Sequence, residues 1–430
     1  MGFRSVVAIV FGSQIGSGIF VLPSTLAPYG VYGVLGWIFA GIAAILLAFV
    51  FANLCSKYPR TGGPYTYVQE VFGTLPAFFV GWGYWLVSWI STTVVIISCI
   101  AYLDPLLSGG LSPQVGLCIE IALLAVVTAI NCRSVELAGN FEFLLMFIKF
   151  IPFVVVPALV LDHFAVSNFE ISSQNAALSS FDMIVNTVSL CIWGFIGVEC
   201  GTTPAGAVEN PSKTIPRAII IGTCGVALVY IANSAAIMGV IPGKILATSR
   251  APFVDALGIA IGGNQLILKT ISFIAFMVCV GTLNAWMLAS AQVSLGLAQD
   301  KLLPSFFAIK NKAGSPYVSI LISSIGSIPI LLLTKDENMA KQITDIIDIS
   351  VKVFVVVYAA CGLAFFKISL AERKTWKSLI AALSVIFCLM LVLWDLDLKS
   401  TLIVSMFFLS GIFVRPFMRK KIVDSTQLAA

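Results

Sequence analysis

Charged residues are scarce in this sequence. Asp, Glu, Lys and Arg together make up only 10% of its 430 residues, whereas about 25% is usual in soluble proteins. Histidine occurs once, at His163, so an active site built from several histidines or from an HExxH metal motif is excluded. Hydrophobic residues account for 59% of the chain, and apolar runs of about 20 residues recur along nearly all of it. A water-soluble enzyme is therefore excluded, an enzyme embedded in the membrane is not expected, and the lipid bilayer is the expected solvent.

Cysteine is present, but not in a metal-binding or disulfide pattern. The ten cysteines form no CxxC pair and lie mostly inside apolar stretches, so neither a zinc site nor a disulfide framework is expected. We expect no metal and no cofactor. The net charge is +5, but no basic cluster is long enough to bind nucleic acid. The first apolar stretch, from Ser5, has no small-residue cleavage pattern, so no cleavable signal peptide is expected.

The apolar runs predict twelve membrane-spanning helices. They begin near residues 5, 34, 77, 115, 141, 183, 216, 268, 317, 343, 377 and 401. An even number places both termini on the same side of the membrane. With the termini in the cytoplasm, 17 of the 25 Lys and Arg residues lie inside and six lie in outside loops, as the positive-inside rule requires. The remaining two, Lys149 and Lys352, fall within spans, and Lys352 is expected to pair with Asp348 one turn earlier.

Two of the predicted spans carry glycine pairs that should interrupt the helix. The first span contains IGSGIF at 15–20, and the sixth contains GFIGVE at 194–199. Either pair alone would be typical of a helix-packing surface, but matching interruptions in two halves of a chain indicate a binding site between inverted repeats. The predicted segments are a first five-helix repeat at 1–165, a second, inverted repeat at 181–370, two further helices at 377–418 and a cytoplasmic tail at 419–430.

Several motifs in this order resemble those of a known transporter superfamily. They are IGSGIFVLP at 15–23, YPRTGGPYTYVQEVFG at 58–73, WGFIGVE at 193–199, ENPSKTIPRA at 209–218 and AQDKLLPSFFAIKNKAGSPY at 298–317. The chain resembles the amino acid, polyamine and organocation (APC) superfamily, and within it the basic amino acid/polyamine antiporters of the arginine/agmatine type. The resemblance implies an all-α inner-membrane protein with a LeuT-type 5+5 inverted repeat and two extra helices. It also implies alternating-access transport of amino acids or their amine derivatives, with exchange favoured.

An interrupted helix offers charged poles that suit an amino acid. Unwinding exposes N–H groups at the start of one half-helix and carbonyls at the end of the other. We expect the amides around Ser17 and Gly18 to bind the α-carboxylate. Carbonyls near Gln14, Trp193 and Ile196 are expected to bind the α-ammonium.

The resemblance also implies which side chains surround the substrate. Trp193 matches an aromatic gate and Trp286 a second tryptophan of the side-chain pocket, where an indole over a cation contributes about 0.5 to 2 kcal/mol; either could instead be a core aromatic. Tyr84, Ser88 and Thr92, spaced by four residues, are expected to line the far wall. Arginine exchangers have asparagine where this chain has Thr92, so arginine specificity is not implied.

Further residues match positions of the pathway or its gates. These are Ser350, Tyr358 and Tyr65. Glu199 follows the second interruption directly, and an acid inside the membrane is a functional candidate by default. The alternative is a structural acceptor for backbone amides that the break leaves free.

Lys149 leaves two mechanisms open. A charged lysine among apolar neighbours is costly, and the resemblance places it where sodium-coupled relatives bind an ion; arginine/agmatine exchangers generally lack it. It could drive proton symport, the alternative to exchange, or simply snorkel to the surface. A channel is disfavoured because no acid ring or repeated filter segment is present, and an amino-acid sensor remains a remote alternative. The expected partners are a small amino acid or amine, protons in the symport alternative, lipid, and a second copy of the chain through the last two helices.

Overall fold

A computed structural model describes residues 1–103, 106, 111–249, 252–262, 264–333, 339–394 and 398–414. Within these ranges the regular elements are helices, and the one isolated β-bridge joins Tyr29 to Ile171. The sixteen α-helices of the described residues are α1 (Phe3–Gln14), α2 (Ser17–Leu26), α3 (Val31–Lys57), α4 (Pro64–Phe72), α5 (Thr74–Leu103), α6 (Pro113–Arg133), α7 (Val135–Val160), α8 (Ser180–Ile192), α9 (Pro211–Val240), α10 (Gly243–Leu246), α11 (Pro252–Ile261), α12 (Gln265–Gln299), α13 (Tyr317–Leu333), α14 (Met339–Ala371), α15 (Thr375–Trp394) and α16 (Leu398–Leu409). The predicted tail at 419–430 lies outside the described residues.

The helices account for the twelve predicted spans. In the described part of the chain, nine helices are long and apolar enough to cross a membrane. Three shorter apolar helices, at Phe3–Gln14, Tyr317–Leu333 and Leu398–Val414, lie where the other three spans are predicted. The predicted all-α, multi-span fold is confirmed. The short helices α4, α10 and α11 lie between spans and were not predicted from the sequence.

The centre of the bundle is built around α1 and α12. α12 packs on α5 and α7, while α1 packs on α9, α7 and α12. Large apolar side chains on the outer faces are exposed, among them Leu144 and Phe147 of α7 and Leu393 of α15. In a membrane this surface faces lipid, and the polar groups of the backbone are satisfied within the helices.

Both predicted interruptions are present. α1 ends at Gln14, Ile15 and Gly16 have extended backbone, and α2 begins at Ser17. The second interruption follows α8, whose last residue is Ile192. From there the chain continues in short 3-10 turns at Trp193–Phe195, Cys200–Thr202 and Ala205–Ala207.

Candidate functional site

Side chains from neighbouring helices bind the carbonyl end of α1. The carbonyls concerned are those of Gly12, Ser13, Gln14 and Ile15. The Thr282 hydroxyl of α12 lies 2.6 Å from the oxygen of Ile15 and 3.0 Å from that of Gly12. The Trp286 indole N–H donates to Ser13 O at 3.0 Å, and the Tyr230 hydroxyl is 2.7 Å from Gln14 O. The negative pole of the first half-helix is therefore already occupied by protein donors, although each carbonyl retains a second lone pair.

The amides at the start of α2 follow a glycine. The N-cap residue Gly16 has no side chain to cap them, so these amides are available to bind an anion. Two close contacts explain the glycines there. A Cβ at Gly16 would lie 2.9 Å from Thr282 Cγ2, and one at Gly18 would lie 3.2 Å from Trp193 Cδ1. The side chain of Ser17 lies outside the described residues, and its backbone begins α2.

The two interruptions touch each other at Gly197. The Ser13 hydroxyl donates to Gly197 O at 3.0 Å, and the Gly197 N–H donates to the Tyr358 hydroxyl at 3.2 Å. Gly197 has a φ of +111°, and a Cβ there would lie 2.9 Å from Ser13 Oγ. Only glycine fits this backbone and this approach.

A small cavity lies between the interruptions. It is lined by Ser13, Gln14, Gly16, Gly18, Ser91, Val95, Trp193, Gly194, Ile196, Thr282, Trp286 and Phe354. Its volume is about 30 Å³, enough for about two water molecules, whereas a benzene-sized ligand occupies a cavity of about 150 Å³. An amino acid therefore requires the aromatic side chains of the lining to move.

Gln14 lines this cavity, and its side chain carries a buried acceptor. Its amide nitrogen donates to Val10 O at 3.1 Å and lies 3.3 Å from Thr223 Oγ1. Its amide oxygen is buried and has no hydrogen-bond partner among the described residues. A buried acceptor without a partner is costly, and a bound ammonium would supply the missing donor.

Five predicted binding residues line the cavity, namely Gln14, Gly18, Trp193, Ile196 and Trp286. On α5 the lining comes from Ser91 and Val95. The hydroxyls of Ser88 and Thr92 instead donate to carbonyls three residues earlier in their own helix. Ser350 is buried behind the lining, and its hydroxyl accepts from Ser91 at 2.9 Å.

Glu199 is fully buried and bonded to two tyrosines. Tyr84 donates to Oε1 at 2.8 Å, and Tyr358 donates to Oε2 in a short hydrogen bond. The Tyr84 ring also contacts the lining residue Phe354 edge-on, at 5.4 Å between centroids. Glu199 and Tyr84 therefore lie one layer behind the cavity and position its wall.

Lys149 points to α1 rather than to the surface. Its side chain is fully buried, and Nζ donates to Gly12 O and to Glu142 Oε1, each at 3.0 Å. The snorkelling alternative is therefore wrong. Sequence reasoning missed Glu142, although an acid seven residues before Lys149 lies two turns away on the same helix face.

Tyr65 belongs to an ion-pair cluster away from the cavity. Its hydroxyl donates to Asp300 at 3.1 Å, Asp300 pairs with Arg60 at 2.7 Å, and Arg60 pairs with Glu70 at 2.6 Å. We call these four residues the Arg60 cluster. It ties α4 and its preceding loop to the end of α12.

Comparison with known proteins shows which family this chain belongs to. The profile described as "Amino acid permease" matches residues 1–414. The chain is 30% identical over 346 residues to the cadaverine/lysine antiporter of Escherichia coli (strain K12), covering 79% of this chain and 76% of that protein. It is 28% identical over 358 residues to the putrescine transporter PotE of Haemophilus influenzae, covering 83% and 82%.

A further relative is similar over nearly the full length of both chains. The putative arginine/ornithine antiporter of Bacillus subtilis is 26% identical over 466 aligned positions, covering 99% of this chain and 98% of that protein. The profile match and the long alignments cover nearly the whole chain. The chain belongs to the amino acid permease family.

Proposed function

We propose that this protein is a secondary active transporter that exchanges amino acids, or amines derived from them, across the inner membrane by alternating access. The observation that carries the proposal is the cavity at which both interrupted helices meet. The relatives named as antiporters support exchange over proton symport.

The substrate is a zwitterion on at least one side of the exchange. Its α-carboxylate binds the uncapped amides at the start of α2, including Ser17 and Gly18. Its α-ammonium binds the unpartnered amide oxygen of Gln14 and the backbone near Trp193 and Ile196. A diamine has no carboxylate and would leave the α2 amides without an anion, so the amino acid is the better ligand of this site.

Alternating access moves one repeat against the other. The repeats are residues 1–165 and 181–370, with 377–418 outside them. Trp193 and Trp286 close over the substrate from two sides, while Glu199 and its tyrosines hold the second interruption in place. Opening toward one face of the membrane separates the Arg60 cluster, and closing re-forms it. This is the rocking motion that inverted-repeat transporters use.

The termini lie in the cytoplasm, and the Arg60 cluster marks the cytoplasmic end. Support comes from basic residues in loops that the positive-inside rule assigns to one side. Lys57 and Lys374 both pair with Glu372, at 2.6 and 2.8 Å, and the Arg60 cluster lies at the same end of α3.

A homodimer through the last two helices, which expose apolar side chains such as Leu393 and Met406, completes the proposed assembly.

Reconstitution in liposomes tests the proposal. Uptake of radiolabelled lysine, arginine, ornithine, putrescine and cadaverine is measured with the same substrate inside, with an acid exterior only, and with neither. Exchange requires uptake to depend on internal substrate. Uptake driven by acid outside without internal substrate would establish symport instead, and uptake that does not saturate would indicate a channel.

The Gln14 oxygen provides a residue-level test. Gln14→Met keeps the length of the side chain but removes the acceptor, together with the amide donor to Val10 O. The charged ammonium then loses a hydrogen bond of about 1.5 to 3 kcal/mol. We expect the KM for lysine to rise by about 10- to 150-fold, with 1.4 kcal/mol corresponding to a factor of ten. An unchanged KM would remove Gln14 from the ammonium site.

A further inference from the structure

Lys149 and Glu142 form a buried ion pair within one helix. Both side chains are fully buried, and Nζ lies 3.0 Å from Oε1. The residues are two turns apart on the same face of α7, so their contact does not depend on the position of any other helix. A buried charge that loses its partner is strongly destabilising.

The hydrogen bonds around the pair fit its charged form. The Glu142 Oε1 accepts from Lys149, and Oε2 accepts from the Asn284 side-chain amide at 3.0 Å, so both oxygens act as acceptors, as in a carboxylate. Asn284 is itself fixed by Asn131, whose amide donates to its side-chain oxygen at 2.9 Å. Lys149 has acceptors in Gly12 O at 3.0 Å and in Ile15 O at 3.5 Å, besides Glu142.

Two glycines, one on α1 and one on α12, leave space for the side chains of the pair. A Cβ at Gly12 would lie 1.8 Å from Glu142 Oε1, and one at Gly281 would lie 2.6 Å from Lys149 Cε. Both side chains are enclosed and bonded, so neither can move aside without breaking the contacts just described. α1 and α12 are therefore shaped around the charged pair.

Among the residues that the structure describes, no second charged side chain competes with Glu142 for Lys149. In the described residues, α1 faces Nζ with carbonyls and α12 faces it with the Thr282 hydroxyl, 3.5 Å away. α6, α9 and α11 also pack on α7, and among their described residues no charged side chain lies within hydrogen-bond distance of Lys149.

We propose that Glu142 is a positioning residue that keeps Lys149 protonated throughout the transport cycle, so that the lysine acts as a resident cation at the end of α1 and not as a proton carrier. When α1 moves, Lys149 can release Gly12 O and still keep its counter-ion, because Glu142 travels on the same helix. No proton then needs to leave. This inference rests on the proposed exchange function, for which it supplies a structural cause.

The first test measures stability and needs no transport. Thermal unfolding of purified protein is followed against pH for wild type, Glu142→Gln, Glu142→Gln/Lys149→Met, and the control Glu136→Gln, which removes an exposed acid from the first turn of the same helix. Without the Glu142 carboxylate, burying Lys149 costs less free energy when its amine is neutral. The Tm of Glu142→Gln should therefore rise relative to that of wild type as pH rises from about 6 to 9. The double variant should lose this dependence.

The second test measures exchange in liposomes over the same pH range. Glu142→Gln should lose activity as pH rises, because a neutral amine binds the α1 carbonyls without charge assistance. Wild type and Glu136→Gln should show the same dependence of exchange activity on pH. The activity of the double variant should not fall as pH rises. A Glu142→Gln profile that matches wild type in both tests overturns the inference, as does a pH dependence that persists in the double variant.

A third measurement can be made even if Glu142→Gln does not fold, because it uses wild type and Lys149→Met. A pH-sensitive dye inside liposomes counts protons moved by wild type during exchange of substrates of equal charge. No proton movement is expected. Stoichiometric proton movement that Lys149→Met abolishes while substrate exchange continues would overturn the inference. If wild type exchanges no substrate at all, the proposed function fails, while the unfolding test of a folded Glu142→Gln variant still decides whether Glu142 keeps Lys149 charged.

Discussion

Removing the Tyr358 hydroxyl should lower the stability of the protein more than removing the Tyr84 hydroxyl. Tyr358 donates to Glu199 and accepts from the Gly197 N–H at 3.2 Å, whereas Tyr84 donates to Glu199 at 2.8 Å. The second contact of the Tyr84 hydroxyl, with the Cys200 sulfur at 3.8 Å, is weak because thiols are poor hydrogen-bonding groups. A hydrogen bond to a charged group contributes about 1.5 to 3 kcal/mol, and an ordinary one about 0.5 to 1.5 kcal/mol. We expect Tyr84→Phe to lower the free energy of unfolding by about 1.5 to 3 kcal/mol and Tyr358→Phe by about 2 to 4.5 kcal/mol.

The assay uses the cysteines of the protein. Most of the ten are buried, so a thiol-reactive dye reports heat-induced unfolding of purified protein. Tyr32→Phe is the control, because the Tyr32 hydroxyl bonds Ser180 at an exposed position, where water replaces the lost partner.

Exchange rates should follow the same order as the stabilities. Gly197 holds Ile196 at the cavity, so Tyr358→Phe disturbs the substrate site more than Tyr84→Phe does. A loss in Tyr84→Phe that equals or exceeds that in Tyr358→Phe would show that the Gly197 bond contributes nothing to either property.

Two other variants probe close contacts and surface charge. Gly18→Ala places a Cβ 3.2 Å from Trp193 Cδ1, so we expect this variant to exchange substrate more slowly in liposomes. The control Gly258→Ala, whose Cβ meets no atom within 4 Å, should exchange at the wild-type rate. Equal activity of the two variants would show that the Trp193 indole moves freely. Two lysines lower the pKa of Glu372 to about 2, so its ion pairs contribute stability above the ordinary carboxyl pKa and lose it as pH falls toward 2. Because Glu372 is exposed and screened, Glu372→Gln should leave Tm nearly unchanged at neutral pH in high salt; a large fall would contradict the weak-pair argument.

Local sequence signals predicted the fold and the two interruptions. Long apolar runs and glycine pairs act on the few residues around them, so they can be read without tertiary contacts. The residues of α5 that line the cavity were not predicted correctly from local spacing. Each step of four residues rotates by about 40° around a helix of 3.6 residues per turn, so the sequence 84, 88, 92 drifts away from the cavity, which Ser91 and Val95 line instead.

The partners of the α1 carbonyls could not be read from the sequence. Thr282 and Tyr230 lie more than two hundred positions from the residues they contact, and many Thr and Tyr residues could have filled those roles equally well. Glu142 had a local signal, its spacing from Lys149, but apolar neighbours on every side made an ion pair at this depth hard to anticipate. Side-chain pairs between distant helices depend on packing that a single sequence does not specify.

Tyr230 has a consequence for the order of events during turnover. Its hydroxyl lies 2.7 Å from Gln14 O and 3.0 Å from Gly194 O, yet it carries only one hydrogen and can donate to one of them at a time. The tyrosine of α9 therefore links the end of α1 to the segment after α8, and its one hydrogen alternates between two acceptors. In the proposed alternating-access motion, separation of these two segments would leave one of the oxygens without its donor, where a substrate ammonium could donate in place of the phenol.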